Sequence, residues 1–591
     1  MAPSIYEDLP LTSPRSIRIL KLDAVSAPTY PRQEVEIQLS LRVVNLDDNP
    51  CYNALSYTWG APSREAAARG MDSTPMCRVN CNGESILVTQ NLFDCLQQLT
   101  HGSRSNDMEF WIDAICIHQG SEEQNRQVNL MADIYRQAKK VTIWLGKADE
   151  HTDPACVFIE KFARSQTSRT DHQAMVDELK QHAQLTVLAS FFSRTWFTRV
   201  WVVQEVVLSQ TATVICGSCL FNWDDITEVS HYLATAVSRQ EFHAAGLELQ
   251  ELQYKNPAKM AAVRRDLVKL ARVEKQLKKE STILLHSLIR FRNWDSFKMH
   301  DKVYALLGIH KAALKLEDAD PDSPLYPRYE QDVRRAYIGI ARYILENTSD
   351  LLLLAHVEGE DFQSIPWLPS WVPDWSVKGT LGLGITGYER FCAAAGTEAY
   401  TKPKISHENL LLTLRAAKLD TVIKVGETKE EVDRGMPCVQ WLDILNETED
   451  LYHTKEQRKD VFWRCLITNT DKNGKFPSSD FREEFSSWIR GRTETRDSEW
   501  IEGARNFHSS YSHSLHLRLF STAEGLMGVG SQSMKAGDSV WIVPGSRVPL
   551  LLRPSPYNEG RWRLVGGAYV HGFMQGEASQ RGLLFETICI E

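Results

Sequence analysis

Residues 109–146, EFWIDAICIHQGSEEQNRQVNLMADIYRQAKKVTIWLG, constrain the fold more than any other stretch of the chain. The run 109–117 is apolar apart from Asp113 near its end, and reads as a buried strand. Ser121 and Gln124 have the spacing of a capping box, in which each side chain satisfies an orphan amide at a helix start. Val128, Met131, Ile134/Tyr135 and Ala138 then fall on one helical face. Lys139 and Lys140 close the last turn, where positive charge complements the helix dipole. VTIWLG, 141–146, is again a buried strand. Strand, helix and strand with so short a return predict parallel strands joined by a right-handed crossover. Further strands are expected at 16–22, 35–45 and 84–90, the last turned by Asn82-Gly83, with a helix over 91–100. Residues 50–210 therefore read as an α/β domain, an open and mostly parallel sheet with helices on its faces.

At 591 residues the chain exceeds what one hydrophobic core usually serves. We read residues 1–49 as an N-terminal β extension to the 50–210 domain. Residues 211–380 read as a mainly helical region, 381–510 as a mixed region and 511–591 as a small β-rich C-terminal domain. Within the helical region, Val263, Leu267, Leu270, Val273 and Leu277 form a stripe whose opposite, basic face suits a packed helix exposed to water. In WLPSWVPDWS, prolines forbid a regular helix, so Trp367, Trp371 and Trp375 are expected to pin an extended segment. From 515 the pattern alternates and is punctuated by Gly537-Asp538, Pro544-Gly545 and Glu559-Gly560, as in a small antiparallel barrel or sandwich. His571 and Glu577, in that tail with no nucleophile nearby, read as structural.

The net charge of −9 supplies no field for nucleic acid or an anionic membrane, so neither is an expected partner. The twelve cysteines are scattered, mostly within apolar stretches, as reduced thiols in a cytoplasmic protein would be. Cys216 and Cys219 have knuckle spacing but no second knuckle follows, so no metal is expected. The N-terminus lacks the basic head and apolar core of a secretory signal. No apolar run approaches the roughly 18–20 residues that span a bilayer. A dehydrogenase-type G-x-G-x-x-G after a strand and a Walker lysine are both missing.

Candidate site residues gather where strands end. YNALSYTWG, 52–60, runs from a buried strand into a turn, which places Ser56, Tyr57 and Trp59 on the rim of any pocket there. Asp113 interrupts its strand near the C-terminal end, where it either meets a ligand or caps the turn. RTWFTRVWVVQEVVL, 194–208, suits strand or helix, yet Trp201 and Glu205 share a face under both periods. Glu205 lies among valines, and a carboxylate in such company needs pairing, hydrogen bonds or a proton. Function explains its presence; an internal ion pair with Arg194, Arg199 or Arg126 explains it equally.

Together YNALSYTWG, FWIDAICIHQGSEEQNRQVNLMADIYRQAKKVTIWLG, RTWFTRVWVVQEVVL and the downstream DKVYALLG and LPSWVPDWS resemble the heterokaryon-incompatibility (HET) domain proteins of filamentous fungi. His118 stands where that family more usually has Asn or Asp, and no role is assigned to it. The resemblance implies non-self recognition with cell death as its output. The order strand, WID, helix, strand, W-x-x-x-E is in turn similar to TIR domains, whose enzymatic members hydrolyse NAD with a glutamate four residues after a tryptophan. That likeness implies a TIR-like, flavodoxin-like sheet, with Glu205 catalytic and Ser56, Tyr57, Trp59, Asp113 and Trp201 as substrate-binding residues. It also implies NAD as substrate rather than cofactor. The alternatives are a non-enzymatic module that self-associates or docks another incompatibility protein, and a catalyst for another small molecule on the same scaffold.

Overall fold

The computed structural model describes residues 5–23, 37–63, 76–101, 108–165, 169–179, 181–238, 253–271, 282–316, 320–378, 390–408, 410–471, 473–493 and 503–591. The chain forms two compact units, Met1–Glu274 with Trp294–Glu330, and Lys275–Asn293 with Gln331–Glu591. Val273 and Leu277 of the predicted apolar stripe lie outside the described residues; the helix carrying its earlier members is Lys255–Ala271.

The first unit is built on a nine-stranded sheet. Its strands are β1 Ser16–Leu22, β2 Gln38–Asn45, β3 Asn53–Ser56, β4 Met76–Cys81, β5 Glu84–Thr89, β6 Glu109–Trp111, β7 Lys140–Trp144, β8 Ala212–Cys216 and β9 Cys219–Asn222. They run in the order β5-β4-β2-β1-β6-β3-β7-β8-β9. The centre, β6-β3-β7-β8, is parallel, as the strand–helix–strand pattern requires, and antiparallel pairs extend it on both sides. The strands expected as an N-terminal extension are thus part of this sheet: β1 pairs with β6 through Leu20↔Phe110.

The connection from β6 to β7 runs through the Glu122–Gln137 helix, which buries Val128, Met131, Ile134 and Tyr135. Its start differs from the capping box. Ser121 donates its hydroxyl to the His118 carbonyl (2.7 Å), while Gln124 Oε1 accepts from the Gly120 amide (3.2 Å). His118 itself stacks on Tyr6, ring centroids 4.6 Å apart. The predicted strand 109–117 is cut to three residues, because Asp113 opens a short helix, Asp113–Cys116.

The ambiguous stretch 194–208 is helical: a 3-10 turn at Thr195–Thr198, then the Trp201–Val207 helix. Its valines favour strand on propensity alone, but a helix apolar on nearly every side is stable when buried, as Val202, Val203, Val206 and Val207 are. Residues 294–330 return to this unit. Asp295 exchanges backbone bonds with the 3-10 turn, its amide to the Thr198 carbonyl (2.6 Å) and its carbonyl from the Val200 amide (2.9 Å). The Asp301–Leu314 helix then packs on Trp201–Val207, where the Gly308 amide donates to Gln204 Oε1 (3.1 Å). A Cβ at Gly308 would lie 2.1 Å from that oxygen and 2.6 Å from Ala132 Cβ. Gly308→Ala is therefore expected to force the two helices apart, lowering stability by about 1–3 kcal/mol in thermal or denaturant unfolding.

The second unit carries β10 Lys404–Ile405, β11 Leu412–Thr428, β12 Arg518–Thr522, β13 Met527–Gly530, β14 Ser539–Ile542, β15 Leu550–Pro554, β16 Arg561–Val570 and β17 Glu586–Ile590. Strand β11 pairs with β14 through its middle and with β12 through its end, so β11-β12-β13-β16-β15-β14 closes on itself as an antiparallel barrel. Closure removes the exposed edges that an open sheet leaves. Val422, Phe520, Val540, Leu551, Val565 and Val570 fill its core. Trp371 and Trp375 are buried as expected, but Trp367 is 87% exposed and sits at φ 61° on the Pro366–Pro369 turn, so it pins nothing. His571 joins Glu456 (2.6 Å) and Tyr569 (2.8 Å), a structural chain of hydrogen bonds.

Candidate functional site

A cavity of about 900 Å³ opens in the first unit at the carboxyl ends of β3 and β6. Ligands collect at that location in α/β sheets, and the volume is that of a small-molecule site. Its wall is drawn from several parts of the chain, among them the Glu122–Gln137 helix with Gln124, Val128 and Met131. The turn after β3 gives Thr58, Trp59 and Gly60; the start of the Asp113–Cys116 helix gives Asp113; the Trp201–Val207 helix gives Trp201 and Glu205; residues 295–329 give Asp295, Lys298, Asp301 and Tyr329.

Glu205 is 3% exposed, and its Oε2 is buried without a hydrogen-bond partner although the residue lines the cavity. Burial pushes its carboxyl up to about 7, against the opposing pull of Arg199 and of the Ser56 hydroxyl. Asp113 and Asp301 are raised by the same cause, and Arg199 draws each of them down. Arg199 is thus the cation shared by all three carboxylates. It is half-buried and gives one N–H to the Tyr57 carbonyl. Of the arginines the sequence offered as internal partners, Arg194 is engaged elsewhere, with Asp149 (2.9 Å) and the Leu145 carbonyl (3.0 Å).

The other acids are held in place. Asp113 accepts the Trp59 indole N–H (2.8 Å) on Oδ2 and the Ala114 amide (2.8 Å) on Oδ1. Asp301 accepts the Tyr329 hydroxyl (2.7 Å) and the Lys298 amide (3.2 Å). Trp59 is 37% exposed and stands at the rim. Phe297, which also lines the cavity, is 99% exposed.

The residues singled out from sequence divide into two sets. Glu205, Asp113, Trp59 and Trp201 converge on the cavity wall. Ser56 and Tyr57 do not form the rim, because the last residues of a central strand are covered on both faces. Ser56 is wholly buried behind Glu205 and accepts the Trp196 indole N–H (2.9 Å). Tyr57 is buried, its hydroxyl beside the Asp113 carboxyl. Asp295, Lys298, Asp301 and Tyr329 also line the cavity and are not singled out by the sequence. Among the described residues, no group of three or more His, Cys, Asp or Glu is arranged to hold a metal ion, and no helix is long and apolar enough to cross a membrane.

Residues 52–205 match the family model "Heterokaryon incompatibility protein (HET)", and residues 494–583 match "Het-6 beta-barrel domain". Asp295, Asp301 and Tyr329 lie outside both stretches. The chain is 22% identical, over 97% of its length and 96% of the relative's, to heterokaryon incompatibility protein 6, OR allele, of Neurospora crassa. No solved structure matches it.

Proposed function

For a chain that carries a HET domain and a Het-6 barrel, we propose a role in fungal non-self recognition leading to programmed cell death, executed by hydrolysis of NAD at the nicotinamide–ribose bond. The observation that carries this reading is the unpartnered carboxyl oxygen of Glu205 in the wall of a cavity large enough for a nucleotide. In the reaction the C1′–N bond breaks and its electron pair goes to the pyridinium nitrogen, so nicotinamide leaves neutral. Glu205, as carboxylate, faces the ribosyl cation that remains, as carboxylates do in glycosidases. Water adds at C1′ and loses a proton, giving ADP-ribose. The Ser56 hydroxyl orients Glu205, and Trp59 and Trp201 provide aromatic faces for the leaving ring. Asp113 and Asp301 are placed to accept ribose hydroxyls.

A second reading, a signalling module that self-associates or docks another incompatibility protein, is favoured by the bare aromatic ring of Phe297 beside the cavity mouth. Induced expression of the full chain and of Glu205→Gln separates the two. The hydrolase reading expects cellular NAD to fall before viability does, and both effects to vanish in the variant. Death with constant NAD, unchanged in Glu205→Gln, would establish the docking reading instead.

A further inference from the structure

The cavity wall is unevenly charged. Among the described residues it holds four carboxylates, Asp113, Glu205, Asp295 and Asp301, against two cations, Arg199 and Lys298. Neither cation is set for a pyrophosphate: Arg199 is turned to the Tyr57 carbonyl and Lys298 Nζ lies 4.5 Å over the Tyr329 ring. Dinucleotide sites elsewhere rely on glycine-rich turns to approach those phosphates, and the described residues that line the cavity include no such turn.

The aromatic groups point the same way. Trp59 gives its indole N–H to the Asp113 carboxylate, which enriches the ring face in electron density and favours a cation stacked on it. The buried and unpartnered Oε2 of Glu205 is independent of that arrangement and also lacks a positive neighbour at bonding distance. NAD brings one positive pyridinium and two negative phosphates. The wall suits the pyridinium.

We propose that the cavity recognises its substrate through the cationic N-ribosyl pyridinium half, so that nicotinamide riboside, with neither phosphate nor adenylate, binds in its own right. This inference rests on the NAD-hydrolase reading but concerns binding, so the two fail separately. Calorimetry on the full chain would compare nicotinamide riboside, its reduced dihydro form, NAD and ADP-ribose, with nicotinamide release from NAD measured alongside. The riboside is expected to bind within about tenfold of NAD, and the dihydro form, of the same shape without the charge, on the order of tenfold or more weakly. ADP-ribose is expected to bind more weakly than the riboside. Equal affinity for riboside and dihydroriboside, or ADP-ribose binding as tightly as NAD while the riboside does not, would overturn the inference even if nicotinamide is released. Riboside binding without any nicotinamide release from NAD would instead overturn the hydrolase reading.

Discussion

Glu205→Gln is expected to raise the stability of the folded chain above pH 7 while removing its turnover of NAD. The carboxyl titrates at about 7 in the fold against an ordinary 4.5, because burial disfavours its charge. Below 4.5 it is protonated in folded and unfolded chains alike and contributes nothing. Between 4.5 and 7 the folded chain holds the proton that the unfolded chain has released, so stability falls as pH rises through that window. By pH 8 the charged group costs on the order of 3 kcal/mol, at about 1.36 kcal/mol per unit. Glutamine keeps the shape without the charge. Thermal unfolding at pH 4 and pH 8 reads this directly: variant and wild type should coincide at the lower pH, with the variant melting higher at the upper. A structural ion pair makes the opposite prediction, since removing one partner of a buried pair destabilises by about 3–5 kcal/mol. Turnover in the wild type should climb as pH rises through about 7, because the carboxylate, not the acid, stabilises the ribosyl cation.

Arg199→Met should do the reverse. The guanidinium is the one cation acting on Asp113, Glu205 and Asp301 together. Its removal leaves buried Glu205 and Asp301 and half-buried Asp113 without their shared cation, a loss of about 3 kcal/mol at pH 8 given that Arg199 is only half-buried. With the cation gone, each carboxyl is raised further. The folded state then holds protons the unfolded state gives up, and the destabilisation grows as pH rises and shrinks towards pH 4. Adding Glu205→Gln should recover part of the loss, because one of the repelling charges is gone. Unfolding of the single and double variants at both pH values checks the sign and the coupling.

Periodicity made much of this architecture legible. The helix at Gln90–His101, the crossover helix and β7 follow from apolar spacing alone, and Trp201 and Glu205 share a face under both helix and strand periods. What periodicity does not carry is long-range return of the chain. Asp295, Asp301 and Tyr329 reach the cavity because 294–330 rejoins the first unit after an excursion into the second, and no local pattern marks that. Ser56 and Tyr57 come just two residues before the cavity-lining Thr58 and Trp59, and that small displacement puts them behind the wall. Trp367, at φ 61°, is 87% exposed, whereas the two tryptophans that follow are buried.

The proposed chemistry depends on Glu205 meeting a ligand rather than a permanent internal partner. Chromatographic measurement of nicotinamide released from NAD by the full chain at pH 8, free and clustered, beside a Glu205→Gln protein shown by circular dichroism to be folded, addresses that dependence. Release by the wild type and none by the variant is the predicted result. Equal release by both, or none by the wild type in either state, would contradict it.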